Sequence, residues 1–142
     1  MRIFLTKTFR VVCNTQWLDL SLNQISCTGF KVFADACAIG ALPKLKTRLE
    51  LQDNNIGDAG VIALATACVS GAMAQLEDLS LFNNDVSDAG VTALARAIAI
   101  GALASLEYLF IDGEHMGHLG LLAACQPRGI QIINGEEVGW VY

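Results

Sequence analysis

The segments LELQDNNIGDAG (residues 49–60) and LSLFNNDVSDAG (79–90) decide the reading of this chain. They share two leucines two apart, an asparagine three residues after the second leucine, a β-branched residue two further on, and a closing Asp-Ala-Gly. The same frame extends outward to LDLSLNQISCTG (18–29) and LFIDGEHMGHLG (109–120). Its anchors are Leu18, Leu49, Leu79 and Leu109. Asn23, Asn54 and Asn84 hold the asparagine position, which Glu114 takes in the last copy. Ile25, Ile56, Val86 and Met116 follow, and Gly29, Gly60, Gly90 and Gly120 close each frame. A fixed period of about 30 residues marks a stack of supersecondary units, none of which buries its apolar face alone.

Each position has a physical reading. Apolar residues at period two (Leu49/Leu51, Leu79/Leu81, Leu109/Ile111) predict a short strand with one face inward. An asparagine side chain both donates and accepts, so stacked copies satisfy backbone groups in the bend and in the neighbouring coil. Asp58 and Asp88 stand where a helix should start and read as N-caps. The i, i+3, i+4, i+7 sets Phe30/Phe33/Ala34/Cys37, Val61/Leu64/Ala65/Cys68 and Val91/Leu94/Ala95/Ile98 then predict one apolar helix face per unit. Gly40, Gly71 and Gly101 fit the glycine that ends a helix. A strand, a helix and a return every 30 residues predict an α/β solenoid: a short right-handed arc with a parallel sheet on the concave side and helices on the convex side.

The pattern LxxLxLxxNxIxDxG followed by LAxA and GAL resembles the leucine-rich repeat of the ribonuclease-inhibitor-like class, which also occurs in NOD-like receptors and Ran GTPase-activating proteins. The resemblance covers roughly residues 12–126 and implies the solenoid fold and a role in binding other proteins. None of the relatives' functional residues matches a position here, so no inhibitor or GTPase-regulator residue is carried over. A single domain is expected: residues 1–16 as an N-terminal cap or degenerate repeat, 17–126 as about four repeats, and 127–142 as a C-terminal cap. In that cap Gly129 to Ile133 forms one more strand, and Asn134-Gly135 turns the chain back so that Trp140 and Tyr142 cover the core.

Composition narrows the function. Hydrophobic residues make up 54% of the 142, yet the apolar stretch 59–76 is rich in small residues and its copy at 89–106 carries Arg96. Both read as buried helices and not membrane spans. A net charge of −5 and a pI near 4.8 exclude a nucleic-acid role driven by phosphate contacts. Arg2, Lys7 and Arg10 precede the first acidic residue, Asp19, which leaves a targeting segment as the alternative to an N-terminal cap. The five cysteines form no CxxC pair; Cys37 and Cys68 share a helix position and pack as small hydrophobes, which points to a reducing, cytoplasmic setting.

With the leucines inward, three rows project from the concave face: Trp17, Arg48, Asp78 and Tyr108; Asp19, Glu50, Ser80 and Phe110; Ser21, Gln52, Phe82 and Asp112. Aromatics that the core does not need (Trp17, Phe82, Tyr108, Phe110) stand among acidic residues (Asp19, Glu50, Asp78, Asp112). Aromatic anchors with a charged rim fit a protein-binding patch for a partner of basic character. The candidate partner-binding residues are therefore Trp17, Asp19, Arg48, Glu50, Asp78, Ser80, Phe82, Tyr108, Phe110 and Asp112, with Phe82 and Phe110 expected to be exposed and clustered. The competing reading is that aromatics sit there through strand propensity while the charges solubilise the face. The other function class is a structural segment of a larger or self-associating repeat array; a GTPase regulator or ribonuclease-inhibitor-type inhibitor ranks below both. The one chemically suggestive cluster is Asp112, Glu114, His115 and His118, which lacks helical HExxH geometry and a distant ligand, so no metal or cofactor is expected. No nucleophile stands beside a base, and the chain reads as a non-enzyme.

Overall fold

The computed structural model describes residues 16–42 and 45–138. The chain runs β1 (Trp17–Asp19), α1 (Cys27–Ala38), β2 (Arg48–Glu50), α2 (Gly57–Val69), β3 (Asp78–Ser80), α3 (Asp88–Ala99), β4 (Tyr108–Ile111), α4 (Leu119–Cys125) and β5 (Gln131–Asn134), with 3-10 turns at Gly113–His115, Gln126–Arg128 and Gly135–Glu137. The five strands form one sheet in the order β1-β2-β3-β4-β5, every pair parallel. The anchors align across it, Leu18 to Leu49 to Leu79 to Leu109 to Ile132. The repeat spacing sets this register as far as Leu109, and Ile132 continues the row after a shorter last unit. The readings that place a cap or targeting segment at the N-terminus and Trp140 and Tyr142 over the core lie outside the described residues.

The core lies between the sheet and a layer of helices that pack each on the next. Leu49, Leu51, Leu79, Leu81, Leu109 and Ile111 are buried from the strand side. All four residues of the second and third helix sets are buried, and in the first set only Phe33 is half-buried. The glycine stops are as expected: Gly40, Gly71 and Gly101 have φ of 88°, 96° and 95°, values that favour a residue without Cβ. Gly71 donates its N–H to the Cys68 carbonyl and Gly101 to that of Ile98. Pro127 ends α4 early, within the 3-10 turn that follows it.

The asparagines bind the coils together. Asn54 Oδ1 accepts from the N–H groups of Asn23 and Ile25 in the previous coil, at 3.1 and 2.9 Å. Its Nδ2 donates to the Leu20 carbonyl of that coil and the Leu51 carbonyl of its own, at 2.8 and 2.9 Å. Asn84, fully buried, repeats the arrangement one coil on, donating to Leu51 and Leu81 at 2.8 and 3.0 Å.

The helix starts differ from expectation. Ser26 and Ser87, one residue before the predicted position, are the N-caps of α1 and α3, accepting from the N–H groups of Gly29 and Ala89. Asp88 is the first residue of α3, and α2 begins after Ile56 with no side-chain cap. Asp58 turns away from its own helix: Oδ1 accepts from the Ser87 and Gly90 N–H groups at 2.8 and 3.0 Å, and Oδ2 from the Ser87 hydroxyl. It therefore caps the next coil's helix, and the Ser87 hydroxyl above all holds its carboxyl below the usual range.

Candidate protein-binding face

The sheet's helix-free face carries the candidate residues in three rows, because strand residues alternate between faces. Trp17, Arg48, Asp78, Tyr108 and Gln131 share one row, and Asp19, Glu50, Ser80, Phe110 and Ile133 the next. Ser21, Gln52, Phe82 and Asp112 follow the strands and extend the face.

Its first row is charged and open. Arg48 stands between two carboxylates: Nη1 lies 3.2 Å from Glu50 Oε1 on its own strand, and Nη2 3.1 Å from Asp78 Oδ2 on the next. Arg48 and Asp78 are direct register partners, so the pair ties β2 to β3. Asp19 is exposed, and its Oδ1 accepts from the N–H and hydroxyl of Ser21. At the far side Tyr108 and Phe110 stack with ring centroids 6.5 Å apart and planes 28° apart. Tyr108 is 39% exposed, Phe110 half-buried and Trp17 55% exposed. Trp17, on β1, stands three strands from Tyr108 and does not join the aromatic pair.

Three candidates are buried where the sequence reading expects them in solvent. Phe82, expected to be exposed beside Phe110, is 6% exposed. Its ring lies against the backbone of Gly135 in the turn after β5, so closely that a Cβ there would fall 2.1 Å from Phe82 Cδ1. Glu50 and Ser80 are 6% and 1% exposed, and Gln52 beside them 0%. Burial pushes the Glu50 carboxyl above its usual range, an effect opposed mainly by its hydrogen bond from Arg48. The Gln52 amide also eases that carboxyl downward, yet neither of its polar atoms meets hydrogen-bond geometry with a partner. The Ser80 hydroxyl is likewise without a partner among the described residues.

The two histidines diverge in role. His118 caps α4, its Nδ1 accepting from the Leu121 N–H at 3.1 Å. Buried His115 places its Nε2 2.8 Å from the backbone carbonyl oxygen of Val86 in the previous coil. Asp112 Oδ1 accepts from the Asn83 N–H at 2.7 Å. Asp112 and His115 thus serve coil junctions and His118 a helix start, and no group of three His, Cys, Asp or Glu among the described residues has a metal-holding arrangement. The sequence reading missed Arg128, whose guanidinium donates to the carbonyls of Ile98, Ala102 and Leu103 at the end of α3. A basic residue after a helix is the only sequence hint of such a clasp.

Parallel strands in sequence order, one helix between successive strands and an asparagine ladder define a repeat solenoid of the β/α type. A family model described as leucine-rich repeat matches residues 47–65 and 73–95. The chain carries leucine-rich repeats over these residues. Comparison with curated proteins finds no match. Leucine-rich repeat domains generally mediate protein–protein interaction and are typically non-enzymatic. No helix among the described residues is long and apolar enough to cross a membrane.

Proposed function

We propose that this chain is a protein-binding module that engages its partner through the helix-free, concave face of the sheet. The observation that carries the reading is the Tyr108–Phe110 stack. Both rings project away from the core, which the strand's leucine and isoleucine already fill, and large aromatics are the side chains that anchor protein interfaces. Asp78 and Asp112 border the stack, Arg48, Asp19 and Trp17 extend the face across the earlier strands, and the preponderance of carboxylates suits a partner of basic character. Glu50, Ser80 and Phe82 belong to the floor beneath. In this reading the chain is one domain of about four repeats of the ribonuclease-inhibitor-like class, in a horseshoe arc. Cys37 and Cys68 packed as core hydrophobes, with thiols pushed up to about 12 by burial, suit a cytoplasmic protein.

The test is affinity capture from native lysate with wild type and a Tyr108→Ala/Phe110→Ala variant of unchanged melting temperature. A partner retained by wild type and lost by the variant supports the reading. A partner held equally by both moves the site to the helices or loops, and self-association without a partner favours a structural segment of a larger array.

A further inference from the structure

The turn after β5 shapes the sheet face beside the aromatic stack. Gly135 lies against the Phe82 ring, although Phe82 follows β3 and Gly135 follows β5. In a sheet ordered β3-β4-β5 that contact carries the turn across the end of β4. Asn134 accordingly packs against Gly113, the residue after Asp112. The exposed Glu136 and Glu137 of the turn therefore come to the end of the Tyr108–Phe110 column at which Asp112 stands. Asp112 has extended backbone, with φ of −65° and ψ of 145°, so it continues the strand's alternation on the same face as the two rings. Its Oδ1 takes the Asn83 N–H at 2.7 Å, which fixes the carboxylate. Among the described residues no Lys or Arg pairs with Asp112, Glu136 or Glu137. Asp78, beside Tyr108 in register, is by contrast already engaged: Arg48 Nε and Nη2 lie 3.2 and 3.1 Å from its Oδ2.

We infer that the Tyr108–Phe110 stack and Asp112 together bind an arginine side chain of the protein partner. This deepens the proposed function and rests on it. The ring planes differ by 28° and the centroids lie 6.5 Å apart, so the rings follow one another along β4 as one elongated apolar surface. An arginine laid along it covers Tyr108 with its apolar stem and packs its planar guanidinium on Phe110, the fork meeting the Asp112 carboxylate. Tyr108 is 39% exposed and both Phe110 and Asp112 are half-buried, so all three are open to a ligand. Glu136 and Glu137 add negative potential where the head group arrives. The reverse orientation would set the guanidinium against Arg48, which already occupies Asp78. Lysine fits less well, because a compact, strongly hydrated ammonium neither lies flat on a ring nor bridges both carboxylate oxygens. Arg48 displays the same chemistry on the same face, held between Glu50 and Asp78.

The test follows the backbone amide signals of the full-length chain by NMR during titration with blocked pentapeptides Gly-Gly-Xaa-Gly-Gly, where the central residue is arginine, lysine or citrulline. Peptide is taken to about 10 mM, tenfold above a millimolar dissociation constant. The arginine peptide is expected to shift the Tyr108, Phe110 and Asp112 signals saturably. The lysine peptide should bind at least threefold more weakly, and citrulline, which keeps the shape without the charge, should not saturate. Asp112→Asn retains an oxygen for the Asn83 N–H and should melt with wild type while binding the arginine peptide at least threefold more weakly. Tyr108→Leu, at an exposed position, removes the aromatic face independently of that bond and should weaken binding by a similar factor. Equal affinity for arginine and lysine, absence of saturation, shifts confined to the helices, or wild-type affinity in Tyr108→Leu each overturns the inference. If capture from lysate still depends on Tyr108 and Phe110 in that event, the binding face stands and only the arginine site falls.

Discussion

Asp58 caps a helix that is not its own: its carboxylate takes both the N–H and the hydroxyl of Ser87, the residue that opens α3 one coil later. A cap that spans two coils makes helix initiation and coil stacking one event. Asp58→Ala is expected to cost about 1 kcal/mol, as loss of an N-cap does. The carboxyl's folded pKa lies below its unfolded value, so this stability is present above about pH 4 and lost as pH falls through the folded value. Urea unfolding of wild type and Asp58→Asn between pH 2.5 and 6 checks this: the gap between them should narrow as pH falls.

Glu50 has the opposite sign. Its folded pKa lies above the unfolded value, so ionisation favours the unfolded chain and stability declines as pH rises from the unfolded pKa through the folded one. The difference in unfolding free energy between Glu50→Gln and wild type should therefore move in the variant's favour from pH 4 to pH 7. A constant difference would mean that the Arg48 bridge offsets burial completely.

Asn84 is expected to matter more than its single side chain suggests. Asn84→Ala leaves the Leu51 and Leu81 carbonyls of two coils without their donor, a loss of about 1–3 kcal/mol. Leu81→Ala opens a cavity in the core at about 2–5 kcal/mol. Ser80→Ala, one residue before Leu81 but with an unpartnered hydroxyl, is expected to be neutral or stabilising. Chemical denaturation of the three variants ranks them.

Gly135→Ala should destabilise by about 1–3 kcal/mol, because the added methyl overlaps the Phe82 ring. Combining it with Phe82→Leu should cost less than the sum of the two single changes, since the smaller side chain makes room. Strict additivity in thermal unfolding would show that the two residues do not meet.

What was legible in the sequence is what the 30-residue period encodes directly. The strands, their register, the asparagine ladder and the glycine stops each recur at a fixed offset from an anchor leucine, so every copy supports the next. The misreadings concern contacts between different coils. In sequence Asp58 reads as a cap for its own helix, because the partner it serves, Ser87, is visible only once the coils are stacked. Phe82 reads as exposed because strand alternation does set it outward; the turn at Gly135 that buries it lies two strands away. Arg128 had no motif, since its carbonyl partners are assembled by the end of α3 and not by sequence spacing.

The central claim, that the helix-free face binds a protein, is tested most directly by site-specific photocrosslinking in cells. A benzoylphenylalanine placed at Tyr108 is compared with one at Val32, which is 66% exposed on α1. The account predicts a discrete crosslinked protein from position 108 and none from position 32. The same crosslinked protein from position 32, with none from 108, would contradict it.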